Sequence, residues 1–274
     1  MKISTLFFAF AATSIISGCA PIPMKKEMGT LNLRYAPPEA QKSLQRTIAI
    51  VQPIFQGTNQ IENGKFLSYG MTSTDADIVL DFDRQYRERL ATALRDSNLA
   101  LISALGFATM GPFRNFDEMT YPQKQSAFLA SVPTLNFTID NKIDDVSCTA
   151  LVCSIKGTIQ VSGEMLVRYV EPLTGQALLN KRIDLSEFSI SKPYIKEGHR
   201  PTQPGDGGMT MALANGISSA MGRKPIEDNS DRVLTEAINE FFAKAMKKVE
   251  AYTSREELLS MERDVLKLKQ IKRF

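Results

Sequence analysis

The sequence predicts an α+β fold in which an antiparallel sheet is covered on one face by helices. Apolar and polar residues alternate across about residues 133–190, and turn residues interrupt this alternation twice. Before residue 95 and after residue 230, apolar residues instead recur every three or four positions, which is the spacing of an amphipathic helix. A sheet with one polar side needs a cover on its other side only, and these helices would supply it.

The alternating region is predicted to be a three-strand meander. Its first turn lies between Cys148 and Cys153, and its second turn is Glu171–Gly175. A period of two over this length indicates strands that are buried on one face. The apolar members of the pattern are Leu135, Phe137, Ile139, Ile155, Ile159, Val161, Met165, Val167, Tyr169, Leu179, Ile183 and Leu185. Two further strands are expected near the N-terminus, at Leu31–Tyr35 and Thr47–Gln56.

Three helical segments complete the predicted fold. Thr74 can cap the first helix, and Asn229 precedes the second. Their apolar stripes are Ile78, Phe82, Tyr86, Leu90 and Leu94 in the first, and Leu234, Ile238, Phe241, Ala245 and Val249 in the second. Ser254 and Glu257 match a capping box that opens a last helix, so the chain is predicted to end in a helical hairpin.

The N-terminus has the pattern of a bacterial lipoprotein signal. The apolar run Leu6–Ile16 is too short to span a bilayer, which takes about 20 residues. It ends in Ile-Ser-Gly-Cys, a branched apolar residue and two small residues before Cys19, as in a lipobox. A plain secretory signal with an incidental Cys is the alternative, but such signals usually end in an Ala-x-Ala-like pair. We therefore interpret residues 1–18 as the signal peptide and Cys19 as the lipid-modified first residue of the mature protein.

A lipid on Cys19 would make the membrane the first partner of this protein. Each buried methylene contributes about 0.8 kcal/mol, so two or more acyl chains give stable anchoring. In bacterial lipoproteins an Asp after the Cys retains the protein at the inner membrane, whereas Ala20 favours the outer membrane. Residues 19–30 hold two prolines and several polar residues, so they are predicted to be a lipidated tether. Residues 31–274 are then predicted to form a single domain.

Cys148 and Cys153 are predicted to form a structural disulfide. They flank a hairpin turn, where facing residues come close enough to bridge, and the cell envelope is oxidising. A redox pair and half of a metal site are the alternatives. The spacing is not Cys-x-x-Cys, however, and the single histidine, His199, lies far along the chain.

The sequence shows no pattern typical of an enzyme or of a nucleic-acid-binding protein. A net charge of +3 does not indicate the strongly basic surface of a nucleic-acid-binding protein. The acidic cluster Asp75, Asp77, Asp81 and Asp83 fits the start of a helix, where carboxylates complement the helix dipole. The glycine-rich segment 205–216 lacks the Lys-Ser/Thr pair of a phosphate-binding loop. We expect no catalysis, no metal site and no cofactor.

Four segments resemble the neuraminyllactose-binding haemagglutinin family, the HpaA-type lipoproteins. They are LNLRYAPPEA, IAIVQPIFQ, VRYVEPLTGQALLNKRIDLSEFSI and the tail from DGGMTM through NSDRVLTEAINEFFAKAMKKVE. They follow the lipobox in the same order and cover most of the mature chain. The resemblance implies a lipoprotein of the outer membrane or flagellar sheath, named for binding sialylated glycans and associated with host adhesion.

One segment departs from that family. Sialic-acid binding there has been linked to a Lys/Arg-rich stretch in the middle of the chain, where this sequence has DNKIDDVSCTALVCSIKG. A sialic-acid carboxylate is best bound by an arginine fork or by backbone N–H groups. Arg34, Arg168 and Arg182 are candidates by residue type alone, and no glycan-binding residue is assigned.

Two functions from different classes follow from these observations. The first is an adhesin that binds sialylated host glycans. The second is a structural lipoprotein of the envelope or flagellar sheath, whose partners are other proteins or copies of itself.

Replacing Cys19 by Ser tests the predicted anchor. Because the acyl chains depend on the sulfur, the Cys19→Ser protein should lose the lipid mass and stay unprocessed or leave the membrane fraction. Mass spectrometry and fractionation of the envelope measure both effects. Normal outer-membrane fractionation of the variant, with an unchanged mature mass, would contradict the prediction.

Overall fold

The computed structural model describes residues 24–61, 84–148, 152–188, 190–199 and 225–271. The predictions for the signal peptide, for Cys19 and for the glycine-rich segment 205–216 lie outside these residues. The start of the first predicted helix, with Thr74 and the acidic cluster, also lies outside them.

Ten strands and five α-helices occur in the described residues. The strands are β1 Met24–Lys26, β2 Thr47–Val51, β3 Ile54–Ile61, β4 Ala108–Phe113, β5 Leu129–Ser131, β6 Thr134–Cys148, β7 Val152–Val170, β8 Ala177–Asp184, β9 Ile190–His199 and β10 Ile226–Asp228. The helices are α1 Arg84–Ala104, α2 Tyr121–Ser126, α3 Ser230–Tyr252, α4 Arg255–Ser260 and α5 Glu262–Ile271.

The centre of the sheet is β7, which pairs with four other strands. Along one edge, β6 pairs with most of β7 and β5 pairs with its last residues. Along the other edge, β9 pairs with the first half of β7 and β8 pairs with the second half. All four pairs are antiparallel. The predicted three-strand meander across residues 133–190 is therefore confirmed as β6, β7 and β8.

The expectation of an antiparallel sheet is wrong for the strands outside the meander. The pairs β2–β4, β2–β5, β3–β6 and β1–β10 are all parallel, so the sheet is mixed. Alternation of apolar and polar residues reports which face of a strand is buried, not the direction of its neighbour. Direction follows from the connections, and β2 reaches its parallel partner β4 only after α1, as a crossover requires.

The two predicted N-terminal strands also differ from expectation. The run Thr47–Gln56 is divided at Pro53 into β2 and β3, because proline has no backbone N–H to donate to a ladder. Residues 31–35 belong to no strand. They form part of a segment, residues 27–44, that lies across the helices and is called the strap below. Leu31 is buried, and Leu33, Tyr35 and Leu44 pack partly into the core.

The predicted tether at residues 19–30 is also too long. From Met24 onward the chain is held by the fold, since β1 pairs with β10 and the Glu27 N–H donates to the Asp228 carbonyl at 2.7 Å. Polar residues can join a sheet edge through their backbone, which a composition argument overlooks.

The main core lies between the sheet and helices α1 and α3. Leu90 and Leu94 of α1 are buried there, as predicted, and so is the whole predicted apolar stripe of α3. Phe241 of α3 meets Phe137 of β6 edge to face, with 4.8 Å between ring centres. The opposite face of β6, β7 and β9 carries exposed polar residues such as Asn136 and Gln160, so the expected one-sided cover is found along these strands.

At the β2–β5 end the sheet is covered on both faces. Ile48 and Ile50 join the main core, whereas Ala49 and Val51, which alternate with them, join a second cluster. The end of β4 and the residues between β4 and β5 supply the cover of that cluster: Phe113, Phe116, Met119 and Ala127.

The predicted C-terminal hairpin is found in part. The Ser254 hydroxyl accepts a hydrogen bond from the Glu257 N–H at 3.2 Å and opens α4, but the helix is interrupted at Met261 before α5 begins. From α5, Lys269 donates to the carbonyls of Gln125 and Ala127 at 2.7 and 2.5 Å. The last helix is thus fixed to the end of α2 as well as to the core through Val265.

Cys148 and Cys153 face each other across β6 and β7 and are joined by a disulfide, with 4.0 Å between their Cα atoms. The bridge closes the end of the longest strand pair in the described residues.

Replacing both cysteines by Ser should leave the fold intact and lower the unfolding temperature modestly. So short a closed loop contributes about 2 kcal/mol on the chain-entropy model. This corresponds to roughly 4–8 °C in a domain of this size. Thermal unfolding of the double variant measures the shift, and peptide mapping of the non-reduced wild type should find one linked peptide. Two alkylatable thiols in the native protein would contradict the assignment.

Candidate functional site

An open groove of about 1070 Å³ lies between the strap and α1. One wall is the strap from Thr30 to Tyr35, and the other is the side of α1 that carries Arg89, Thr92 and Asp96. Spacings of three and four residues place these α1 side chains on one face of the helix. Leu90 and Leu94 occupy the opposite side and hold α1 in the core.

The strap is held against α3 by side chains rather than by a neighbouring strand. The Gly29 N–H donates to the Asp231 carboxylate at 2.8 Å. The Asn239 amide bonds the strap twice, accepting from the Asn32 N–H at 2.8 Å and donating to the Thr30 carbonyl at 2.9 Å. These bonds satisfy the backbone groups that a strand partner would otherwise satisfy.

Tyr35 completes the attachment of the strap. Its hydroxyl donates to the Glu250 carboxylate at 2.9 Å. Burial, together with this hydrogen bond, raises the pKa of Tyr35 above its usual value. The hydroxyl therefore remains a donor across the physiological range, and the strap is fixed at both ends of the groove.

The charged side chains that line the groove differ in the ion pairs and hydrogen bonds that they make. Asp96 is ion-paired with Arg95 at 2.7 Å, and Glu88 has an interaction of its own. Arg89 makes one long hydrogen bond, 3.5 Å, to the Leu31 carbonyl. Arg34 is exposed and makes no hydrogen bond or ion pair with the described residues. The groove therefore presents two guanidinium groups whose donors are largely available.

The three candidate arginines from the sequence lie in two different places. Arg34 lines the groove. Arg168 and Arg182 lie on the outer face of β7 and β8, because the residues that alternate with them, such as Val167 and Ile183, are in the core. Arg182 is ion-paired with Glu164 at 2.5 Å. Arg168 is half-buried, and its Nε has no hydrogen-bond partner among the described residues.

Arg89 is a residue that the sequence reasoning missed. Its position opposite the apolar stripe of α1 could be read from the helical period. Nothing local to residue 89 indicates that Leu31 of the strap, 58 positions earlier, lies beside it.

In the described ranges no helix is long and apolar enough to cross a membrane. Within the same parts of the chain, no three His, Cys, Asp or Glu side chains are grouped so that they could hold a metal ion.

Gly29→Ala should loosen the strap and destabilise the protein. A Cβ at this position would lie 2.8 Å from the Arg232 Cα, a backbone atom of α3, and closer still to the Thr235 hydroxyl. Overpacking of this kind costs about 1–3 kcal/mol. Gly198→Ala is the matched control, because a Cβ there meets nothing within 4 Å. Thermal unfolding should show a clear loss for the first variant and little change for the second; equal effects would contradict the close packing.

No family model matches the chain. The curated proteins and the solved structure that do resemble it carry the same name. The neuraminyllactose-binding haemagglutinin of Helicobacter pylori strain 26695 is 22% identical over 269 residues, which is 94% of this chain and 91% of that protein. The corresponding protein of strain J99 is 20% identical over 274 residues, covering 96% and 92% of the two chains.

A solved structure shares the fold. The crystal structure of an H. pylori homologue of the same haemagglutinin superposes with a TM-score of 0.54, at 13% identity, over 85% of this chain and 99% of that one. The relatives match nearly end to end and agree with the segments noted in the sequence. The comparisons therefore support the resemblance to the neuraminyllactose-binding haemagglutinin family that the sequence indicates.

Proposed function

We propose that this protein is a lipid-anchored adhesin of the bacterial outer membrane that binds sialylated glycans on host cells. The observation that carries the proposal is the near end-to-end match to proteins named for binding neuraminyllactose, which is a sialylated lactose. The Ile-Ser-Gly-Cys19 pattern supports the anchor.

The structure supports a binding protein through the character of its groove. The groove is open, and its walls carry polar and charged side chains beside apolar ones. An open polar groove suits a hydrated ligand such as an oligosaccharide, whose hydroxyl groups exchange water for protein hydrogen bonds.

The segment that departs from the family is not strongly basic, since it holds three acids, Asp140, Asp144 and Asp145, against two lysines, Lys142 and Lys156. It forms the end of the β6–β7 hairpin, where Asp144 accepts a hydrogen bond from the Thr158 hydroxyl at 2.7 Å and Asp145 is exposed. Acidic residues at this end would repel a sialic-acid carboxylate. We therefore look for the proposed glycan site elsewhere in the described residues.

Affinity at a single site should be weak. An exposed guanidinium attracts a carboxylate through water, and salt screens that attraction. Many copies anchored in one membrane would act together, because each bound copy raises the effective concentration of ligand at the next.

Adhesion measured with and without sialidase tests this function. The Cys19→Ser protein in solution should bind sialyllactose poorly as a monomer, while beads displaying many copies should adhere clearly to sialylated cells. Removing sialic acid from the cells should reduce that adhesion. Beads displaying an unrelated protein at the same density are the control. Adhesion that is unchanged by sialidase would favour the structural envelope lipoprotein instead.

A further inference from the structure

We propose that the groove between the strap and α1 binds the carboxylate of an acidic sugar through Arg34 and Arg89. This inference rests on the proposed function and deepens it, since it assigns the binding to named residues.

The first step of the argument is the balance of charge. Two arginines and two acids line the groove. Asp96 is neutralised by Arg95, and Glu88 is engaged. Arg34 has no partner in the described residues, and Arg89 has one long hydrogen bond to a carbonyl. The groove therefore attracts a negative charge, although the protein as a whole is nearly neutral.

The second step is the geometry of the arginines. They come from opposite walls, one from the strap and the other from α1. A guanidinium presents its donors in a planar fork that matches the two oxygens of a carboxylate. Two forks on facing walls can bind one carboxylate together, or bind the carboxylate and a neighbouring hydroxyl.

The third step is preorganisation of the backbone that carries the exposed Arg34. Its neighbours Leu33 and Tyr35 pack against the core, and Tyr35 is bonded to Glu250. Asn239 holds the backbone two residues earlier. A binding residue needs support from residues locked by packing and hydrogen bonds, and here only the Arg34 side chain has to be ordered by the ligand.

The fourth step is the rest of the lining. Asn32 and Thr92 offer neutral donors and acceptors for sugar hydroxyls, and the Tyr35 ring offers an apolar surface. The volume of about 1070 Å³ is at the upper end for ligand pockets, which leaves room for more than one sugar ring.

Titration with three sugars, followed through the arginine side chains, tests the proposal. The probes are 3′-sialyllactose, lactose and a glucuronic-acid disaccharide, added to the mature chain carrying Cys19→Ser. The Nε–H resonances of Arg34 and Arg89 should shift with sialyllactose and not with lactose. The Arg34→Gln and Arg89→Gln proteins should each bind about tenfold or more weakly, because each loses charge-assisted hydrogen bonds. Arg34→Lys should also weaken binding, since it keeps the charge and loses the fork.

Arg263→Gln is the matched control, because Arg263 is an exposed arginine on α5, away from the groove. It should bind as the wild type does, within about twofold.

If the glucuronic-acid disaccharide shifts the resonances of the two arginines and sialyllactose does not, the acidic-sugar site stands and the sialic-acid function fails. If no acidic sugar shifts them, or lactose shifts them equally, the groove proposal is overturned even where multivalent beads still bind sialyllactose. Binding that is unchanged in both Gln variants would overturn it too.

Discussion

The structure depends on the period-two alternation along β7. This strand has 19 residues, and the odd-numbered ones from Cys153 to Tyr169 face the core while the even-numbered ones face away from it. A slip of one residue would turn the whole buried row to solvent, so the register of β7 is strongly determined. Because β5, β6, β8 and β9 all pair with β7, its register also sets the positions of theirs.

Two glycines in the buried row of β7 leave room for aromatic rings from neighbouring elements. A Cβ at Gly157 would lie 2.6 Å from the Tyr194 ring, and one at Gly163 would lie 3.2 Å from the Phe241 ring and 2.5 Å from a β6 carbonyl. Each missing side chain leaves the space that an aromatic ring from β9 or α3 occupies. Phe241 then packs on Phe137, so α3 is positioned by the centre of the sheet.

The sequence predicts best what a single element determines. The meander, its buried faces and the apolar stripes of α1 and α3 follow from local periodicity, and β6, β7 and β8 confirm this. Strand direction depends on connections across tens of residues, which is why the parallel pairs of β2 and β3 were missed. Residues 31–35 were predicted to be a strand and are not, although Leu31 and Leu33 do pack into the core. This segment packs on the helical layer instead of pairing with a strand, because the Asn239 amide satisfies backbone groups of the strap.

The same alternation explains how the strap comes to line a groove. Here the strap lies on top of α1 and α3, so Leu31, Leu33 and Tyr35 are used for attachment, and Asn32 and Arg34 are left at the surface. The packing that secures the strap therefore presents Arg34 to solvent in the groove that Arg89 also lines. Residue type alone ranked Arg34 equally with Arg168 and Arg182. The tertiary arrangement separates them, because Arg182 is neutralised by Glu164, whereas Arg34 stands in a groove with its donors available.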